Sequence, residues 1–183
     1  MNNIPPKTDS FFSKLCADSL HYPSSFKSSV LAPMHFLFLL LLVPGFQLGL
    51  SIRIQEVLGK IPLIGKLLRR IQWYITTIFF GSDIDPNCSI DSGIYFPHPF
   101  GIVIGGGCVI GKNVCINQNV TIGRRHPEET ENPVIHSGVS IYAGVVIIGP
   151  ITIGENAVIG ANAVVNKDVQ TGATMVGIPA RAI

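Results

Sequence analysis

The sequence predicts a mainly β solenoid, built from short parallel strands, that follows an α-helical region. Three observations indicate this fold. Aliphatic residues recur at an unbroken spacing of six from Ile135 to Val165, and a second set with the same spacing, the second register, runs from Val139 to Val169. Before residue 82, apolar residues recur at the spacing of an α-helix. A period of six fits neither the roughly 3.6 residues of an α-helical turn nor the alternation of about two in a single strand. Each repeat therefore forms one flat face of a coil.

The first 81 residues divide into a polar segment, 1–29, and a helical region, 30–81. Serine and proline are scattered through the polar segment, which predicts irregular structure or a short helix. Three helices are expected in the second region, over residues 30–43, 46–60 and 62–80. The first of them ends before Pro44, because a proline disfavours the helical conformation of the residue before it. We expect the apolar stripes of these helices to bury against one another or against a neighbouring subunit.

The most apolar stretch of this region is residues 36–43, which are eight apolar residues in a row. A bilayer-spanning helix needs about 20 such residues, so this stretch is too short to cross a membrane. No basic stretch directly precedes a cleavage site near the N-terminus, which argues against a signal peptide. A buried or interfacial helix is expected, and peripheral contact with a membrane stays open.

Composition narrows the classes of partner. Charged residues make up 13% of the chain and hydrophobic residues 47%, as a continuous aliphatic stack and a buried subunit interface would produce. The net charge of +2 and the lack of a basic block argue against a nucleic-acid partner. The four cysteines show no CxxC or Cys/His spacing, which argues against structural zinc. Cys88 and Cys108 fall in the inner register, which is typical of reduced core thiols in a cytoplasmic protein.

The solenoid is expected over residues 82–178, followed by a short tail, 179–183. Two stretches break its period, namely residues 95–101 and residues 124–133. Regular coils only stack, so function is expected at these irregularities. Small residues after the aliphatic positions are expected to form tight corners with positive φ. They are Gly111, Asn117, Gly123, Gly154 and Gly160.

His98 is the candidate catalytic base. It lies in the first irregular stretch between Pro97 and Pro99, which restrict the backbone around it. A neutral imidazole can take a proton from a hydroxyl group near pH 7. Asp83 precedes His98 by 15 residues, about one coil, so stacking could bring its carboxylate to one ring nitrogen and fix the tautomer.

Several motifs resemble those of a known family. They are Pro44–Leu48 with Arg53–Ile54, Ser82–Pro86, His98 with Gly101–Gly105, Gln118–Gly123 and Gly177–Arg181. Over residues 36–183 the chain is similar to serine acetyltransferases, members of the hexapeptide-repeat, left-handed parallel β-helix superfamily. The six-residue repeat points only to the superfamily, whereas the motifs around Phe46 and His98 are far more specific.

The resemblance implies acetyl transfer from acetyl-CoA to a hydroxyl group, without a metal. His98 matches the residue that deprotonates the acceptor, and Asp83 matches the residue that orients it. Homotrimers are implied, with active sites between neighbouring solenoids, and pairing of trimers is left open. The CoA would lie along the coils. The residues that match its binding groove are Gly123, Ala143 and Ala161.

Two departures concern the acceptor. Serine enzymes have an aspartate before the catalytic histidine, where it binds the substrate amine, and this chain has Pro97 there. The family's arginine-histidine-proline motif meets the serine carboxylate. Aligned forward from residue 122 it matches Arg125, His126 and Pro127; aligned back from residue 135 it matches residues 131–133.

Four functions are compatible with these features. The leading one is serine O-acetylation, a step in cysteine biosynthesis. The same chemistry on a sugar hydroxyl, in capsule or exopolysaccharide assembly, is the nearest alternative, which the apolar helices slightly favour. A non-enzymatic trimeric scaffold is an alternative of another class, and His98 with Asp83 argues against it. A solenoid with zinc between subunits is disfavoured, since only His98, His126 and His136 could serve as ligands.

Overall fold

The structure, a computed structural model, describes residues 9–22 and 32–183. Four helices precede the solenoid. They are α1 (Phe11–Ser19), α2 (Ala32–Leu42), α3 (Pro44–Leu58) and α4 (Gly65–Phe80). The helix expected over 46–60 begins at Pro44, because a proline is tolerated at the first helical position, where its missing N–H has no partner to lose. The helix expected from Pro62 begins at Gly65, since turns occupy residues 59–64 and Leu63 has a φ of 63°. The rest of the predicted polar segment and the start of the first predicted helix lie outside the described residues.

Fourteen short strands form three flat faces. Face A holds β1 (Asp83–Ile84), β3 (Val103–Ile104), β6 (Thr121–Gly123), β9 (Val146–Ile148) and β12 (Val164–Val165). Face B holds β2 (Ser89–Ile90), β4 (Val109–Ile110), β7 (Val134–Ile135) and β10 (Thr152–Ile153). Face C holds β5 (Cys115–Ile116), β8 (Ser140–Ile141), β11 (Val158–Ile159), β13 (Thr174–Val176) and β14 (Arg181–Ala182). The strands pair in parallel except β14, which pairs antiparallel with β13, so the predicted tail folds back onto the last coil.

The core is the column of side chains inside the coils. Both predicted registers are buried along their whole length, from Ile135 to Val165 and from Val139 to Val169. The predicted β-solenoid with its preceding helices is therefore confirmed. Cys108 is buried in this column and Cys88 packs against it. Burial raises the pKa of the Cys88 thiol to about 12 and that of Cys108 to about 11, so both stay protonated and unreactive at neutral pH.

The prediction of positive φ at five corner residues was wrong. The left-handed residues lie two positions further on in several corners, as at Asn113 and Asn156. Asparagine tolerates that conformation at the third residue of a turn. A glycine such as Gly111 is needed for a different reason: a Cβ there would lie 2.8 Å from the backbone nitrogen of Ser137, on the next coil. Gly111 therefore allows close stacking of these two coils.

A buried ionic cluster joins the helices to the first coil. Arg53, in α3, is 0% exposed, and its guanidinium donates to the Asp18 carboxylate at 2.9 Å, to the Ile90 carbonyl at 2.7 Å and to the Asp91 carbonyl at 2.6 Å. Asp18, in α1, also accepts from the backbone N–H of Gly93 at 2.7 Å. Each charge is thereby satisfied inside the protein. The first coil is fixed to two helices at once.

No single helix in 9–22 or 32–183 combines the length and apolar character that crossing a membrane requires. Only α2 and α3 taken together reach that length and composition, and they meet at a bend of 92°.

Candidate active site

His98 lies in a connection between faces C and A of the first coil. Tyr95 forms a parallel bridge with Cys115 on face C, and β3 resumes face A at Val103. Within this connection the His98 side chain is exposed, whereas Pro99 is buried and anchors the segment. The imidazole is therefore presented to an incoming molecule on a fixed backbone.

Ser82 fixes that segment beside Asp83. The Ser82 hydroxyl is buried; it donates to the Pro99 carbonyl at 2.8 Å and accepts from the Ile102 N–H at 3.0 Å. Because Ser82 precedes Asp83 and Pro99 follows His98, these two bonds bring the predicted catalytic pair to the same corner. Sequence reasoning missed Ser82, and the only signal was its position next to Asp83.

Asp83 and His98 share this corner but are not hydrogen-bonded to each other in the described part of the chain. The Asp83 Oδ1 instead accepts from the indole N–H of Trp73, in α4, at 3.0 Å. That bond leaves Oδ2 of the exposed carboxylate available. Trp73 is the second residue that sequence reasoning missed, and its place in an amphipathic helix gave no signal.

The helices support the His98 segment from behind. Tyr22 is buried, accepts a hydrogen bond from the Phe96 N–H at 3.4 Å and packs edge-on against Tyr95. Burial raises the pKa of Tyr22, which keeps its hydroxyl neutral. At the start of α3, Gly45 lies so close to the Phe96 carbonyl that no side chain fits there. The segment is thus held against the helical region at Tyr95 and Phe96.

A column of backbone hydrogen bonds runs from this segment along the same corner of the next three coils. Asn119 N–H donates to the Phe100 carbonyl at 3.0 Å, Gly144 to Gln118 at 3.0 Å, and Asn162 to Ala143 at 2.8 Å. The column therefore places the His98 segment, Gln118, Ala143 and Ala161 in successive coils. Of the predicted CoA-binding residues, Ala143 and Ala161 lie together, one coil apart.

Gly123, Arg125 and His126 lie at a different corner, where the chain passes from face A to face B. The loop of residues 124–133 leaves the third coil there. The Glu129 carboxylate accepts from the Arg125 N–H at 2.8 Å, and the Arg125 guanidinium reaches the Asn166 carbonyl at 3.2 Å. Apart from the two chain neighbours of Gly123, no atom of residues 9–22 and 32–183 lies within 4 Å of where its Cβ would stand, so this corner is open.

The structure also separates the two alignments of the arginine-histidine-proline motif. Pro133 already belongs to the coil, because its carbonyl accepts from the Val109 N–H at 3.1 Å, and Asn132 lies against Gly107 of the coil below. Arg125, His126 and Pro127 are exposed in the loop. The forward alignment therefore places all three residues in the exposed loop, whereas only Glu131 of the backward alignment is exposed.

One chain does not bring the two corners together. The first carries Pro97, His98, Asp83, Ala143 and Ala161, and the second carries Gly123, Arg125 and His126. Each corner is half of the predicted site.

Comparison with known proteins identifies the family. The sequence profile of the bacterial transferase hexapeptide family (six repeats) matches residues 132–167. A soybean serine acetyltransferase complexed with serine is 34% identical and superimposes with a TM-score of 0.82, over 95% of this chain and 70% of that chain. The chain belongs to the serine acetyltransferase family. A Neisseria gonorrhoeae serine acetyltransferase in complex with serine is 31% identical, with a TM-score of 0.79 over 93% of this chain and 68% of that one.

A third serine acetyltransferase, in complex with CoA, is 34% identical and has a TM-score of 0.75 over 93% of this chain and 66% of that chain. No curated protein matches the chain by sequence at a significant level. Membership of the serine acetyltransferase family confirms the predicted resemblance and makes the solenoid a left-handed parallel β-helix.

The corner column of this serine acetyltransferase homologue leaves open space along the coils. Ala143 and Ala161 are small and partly or fully exposed, so they leave room along the coils. Gln118, between them and the His98 segment, has a buried amide oxygen, Oε1, with no hydrogen-bond partner among residues 9–22 and 32–183. Sequence reasoning did not single out Gln118 within its motif.

Proposed function

We propose that the protein is an acetyl-CoA-dependent serine O-acetyltransferase that supplies O-acetylserine for cysteine biosynthesis in the cytoplasm. One observation carries the proposal: the Ser82 hydroxyl ties the His98 segment beside Asp83, at the top of the column that contains Ala143 and Ala161. Family membership and the complexes of relatives with serine support L-serine as the acceptor substrate.

In this reaction His98 takes the proton from the serine hydroxyl as the oxygen attacks the thioester carbonyl of acetyl-CoA. A carbon–oxygen bond forms, and the carbonyl oxygen carries the negative charge of the tetrahedral intermediate. When the carbon–sulfur bond breaks, His98 returns the proton to the departing CoA thiolate. Asp83 stabilises the imidazolium between the two steps through the carboxylate oxygen that Trp73 leaves available.

The two half-sites support a homotrimer with the active site between copies. The His98 corner of one copy would face the corner of its neighbour that carries Gly123, Arg125 and His126. Arg125 and His126 would then meet the serine carboxylate, with the arginine suited to two parallel hydrogen bonds. Pairing of two trimers is compatible with this arrangement but not required by it.

The test is release of the CoA thiol from acetyl-CoA, with L-serine and a panel of sugars offered separately. We expect turnover with serine, and a loss of kcat of about 10²–10⁴-fold in His98→Ala because the general base is removed. His136→Ala is the matched control and should keep wild-type activity, since this half-buried histidine lies at another corner. Activity that survives in His98→Ala would refute the assigned base.

A sugar hydroxyl is the second candidate acceptor, and Pro97 is the observation that favours it. Pro97 is apolar where serine enzymes carry an aspartate, so it offers no charge to a substrate amine. Turnover only with a sugar would assign the protein to glycan modification with the same catalytic pair. An intact oligomer that turns over no acceptor would instead support the scaffold function.

A further inference from the structure

Helix α4 leaves most of its apolar side chains exposed. Its inner side is mixed: Thr76 and Phe80 are buried, and Trp73 donates to the Asp83 carboxylate. Its outer side carries apolar residues with large exposed fractions, for example 66% for Ile78 and 71% for Phe79. The full outer set is Leu67, Leu68, Ile71, Tyr74, Ile75, Ile78 and Phe79.

These residues form one stripe. At about 100° per residue the seven side chains span an arc of roughly 140° on the helix surface. A stripe of this width usually faces a protein core, yet here it faces away from the solenoid. Contiguous exposed apolar surface of this kind marks an interaction site.

The stripe continues onto two other helices. A groove of about 250 Å³ lies between α3 and α4. Its apolar lining includes Leu50 and Ile54 of α3 and Ile75 and Phe79 of α4, and its polar lining is Gln47, Ser51, Gln72 and Thr76. Ile54 also lines a second groove of about 370 Å³, whose lining is completed by Phe11, Phe12, Val57 and Leu58. We call this continuous surface the apolar face. It runs over α4, α3 and the start of α1.

The charge beside the apolar face has one sign. Between Glu56 and Asp83 the sequence has four basic residues and no acidic residue. Lys60, Lys66 and Arg70 are exposed, and Lys66 and Arg70 lie one turn apart next to the edge of the stripe at Tyr74. Long basic side chains at the edge of an apolar stripe can reach anionic headgroups while the stripe enters the acyl region.

We propose that the apolar face docks on a membrane surface that contains anionic lipids. The chemistry favours a lipid surface over a protein because the outer side of α4 is a broad apolar stripe and the exposed charged residues next to it, Lys60, Lys66 and Arg70, are all basic. The loop before α4 also exposes apolar side chains, since Leu63 is 98% exposed and its neighbours Ile61 and Ile64 are exposed as well. The protein would lie on the membrane without crossing it, with α4 parallel to the surface.

The experiment is flotation of the full-length protein with phosphatidylcholine vesicles, either pure or containing a minority of phosphatidylglycerol. Wild type should float with the mixed vesicles. The double variant Ile71→Glu, Ile78→Glu should bind at least about tenfold more weakly, because it places two carboxylates in the stripe. Ile183→Glu, also at an exposed isoleucine but in the last position of the chain, is the matched control and should bind as wild type.

A second variant tests the charge. Lys60→Glu with Lys66→Glu should weaken binding to the mixed vesicles by about fivefold or more per reversed residue, with a small effect on pure phosphatidylcholine, and added salt should reproduce that loss. Thermal unfolding of each variant checks that the fold is kept. Vesicle binding uses neither acetyl-CoA nor an acceptor, so its failure is separable from failure of the proposed activity.

Two results would overturn the proposal. Wild type that floats with neither vesicle is one, and equal binding by the Ile71→Glu, Ile78→Glu variant is the other. In the first case, a smaller oligomer for that variant in sedimentation would assign the face to contact between copies of the chain.

Discussion

Trp73 controls the carboxylate of the proposed catalytic pair. Its indole holds Asp83 Oδ1 at 3.0 Å, and the Arg70 guanidinium lies 3.9 Å from the centre of its ring. Both contacts limit the rotation of Asp83 about its side-chain bonds. In the proposed mechanism Trp73 is therefore a positioning residue, acting on His98 through Asp83.

Trp73→Phe should lower kcat with serine to about a tenth of the wild-type value and leave the KM for serine unchanged. The reason is that phenylalanine keeps the ring but removes the donor that orients Asp83. Steady-state kinetics with the CoA thiol readout measure both constants. A raised KM with unchanged kcat would show that Trp73 contributes to binding and not to the orientation of the base.

Pro97 permits a gain-of-function test at the same site. Pro97→Asp supplies the carboxylate that serine enzymes carry before the catalytic histidine, so the KM for serine should fall by about tenfold through a charge-assisted hydrogen bond to the substrate amine. Pro97→Asn, which adds a polar group of similar size without the charge, is the control. Equal effects of the two variants would contradict a role for charge at this position.

Among individual residues, the sequence predicted His98 and Asp83 as the catalytic pair because both lie in recognisable motifs near a break in the six-residue period. It did not predict Ser82, Trp73 or Gln118, whose partners lie 10–26 positions away and are set by how coils and helix α4 stack. Spacing within one coil contains no information about such contacts between elements.

Among the elements, the Arg53 cluster is the joint between the helical region and the first coil. Arg53→Met should cost about 3–5 kcal/mol of unfolding free energy, because it leaves the buried Asp18 carboxylate without its cation. The matched control is Lys112→Met, which breaks the partly exposed pair with Asp9 and should cost much less, because solvent screens that pair. Urea unfolding at one fixed protein concentration measures both values, and equal losses would contradict the assignment.

The corners show the limit of sequence reasoning about elements. The six-residue period located every face correctly, since it depends on which side chains enter the core. The prediction of the corner backbone was wrong, because it attributed the glycine after each aliphatic residue to a need for positive φ at that glycine. At Gly111 and Gly160 the cause is the neighbouring coil, which leaves no space for a Cβ.

In the proposed trimer each active site is completed between two copies, and this completion can be tested by mixing. His98→Ala and Arg125→Ala should each be inactive alone. Coexpressed in equal amounts, they should form trimers with about a quarter of wild-type activity, because a site that draws one residue from each of two neighbours is intact with that frequency. CoA release by the purified mixture provides the measurement.

Homotrimers of each variant, mixed after purification without exchange of subunits, serve as the control and should stay inactive. If coexpression restores no activity although mixed trimers form, both residues act within one chain, or Arg125 acts elsewhere.

In the proposed binding mode, the spacing of the coils along the corner column also determines the length of donor that fits. Adjacent coils are separated by the fixed spacing of paired strands, about 4.8 Å, so Ala161 lies roughly 14 Å along the solenoid from the His98 segment. A donor stretched along this corner can be matched only in whole coils. Loss or duplication of one coil between Gln118 and Ala161 would therefore move the reactive carbonyl by an entire strand spacing, and no change of side chain could recover the alignment.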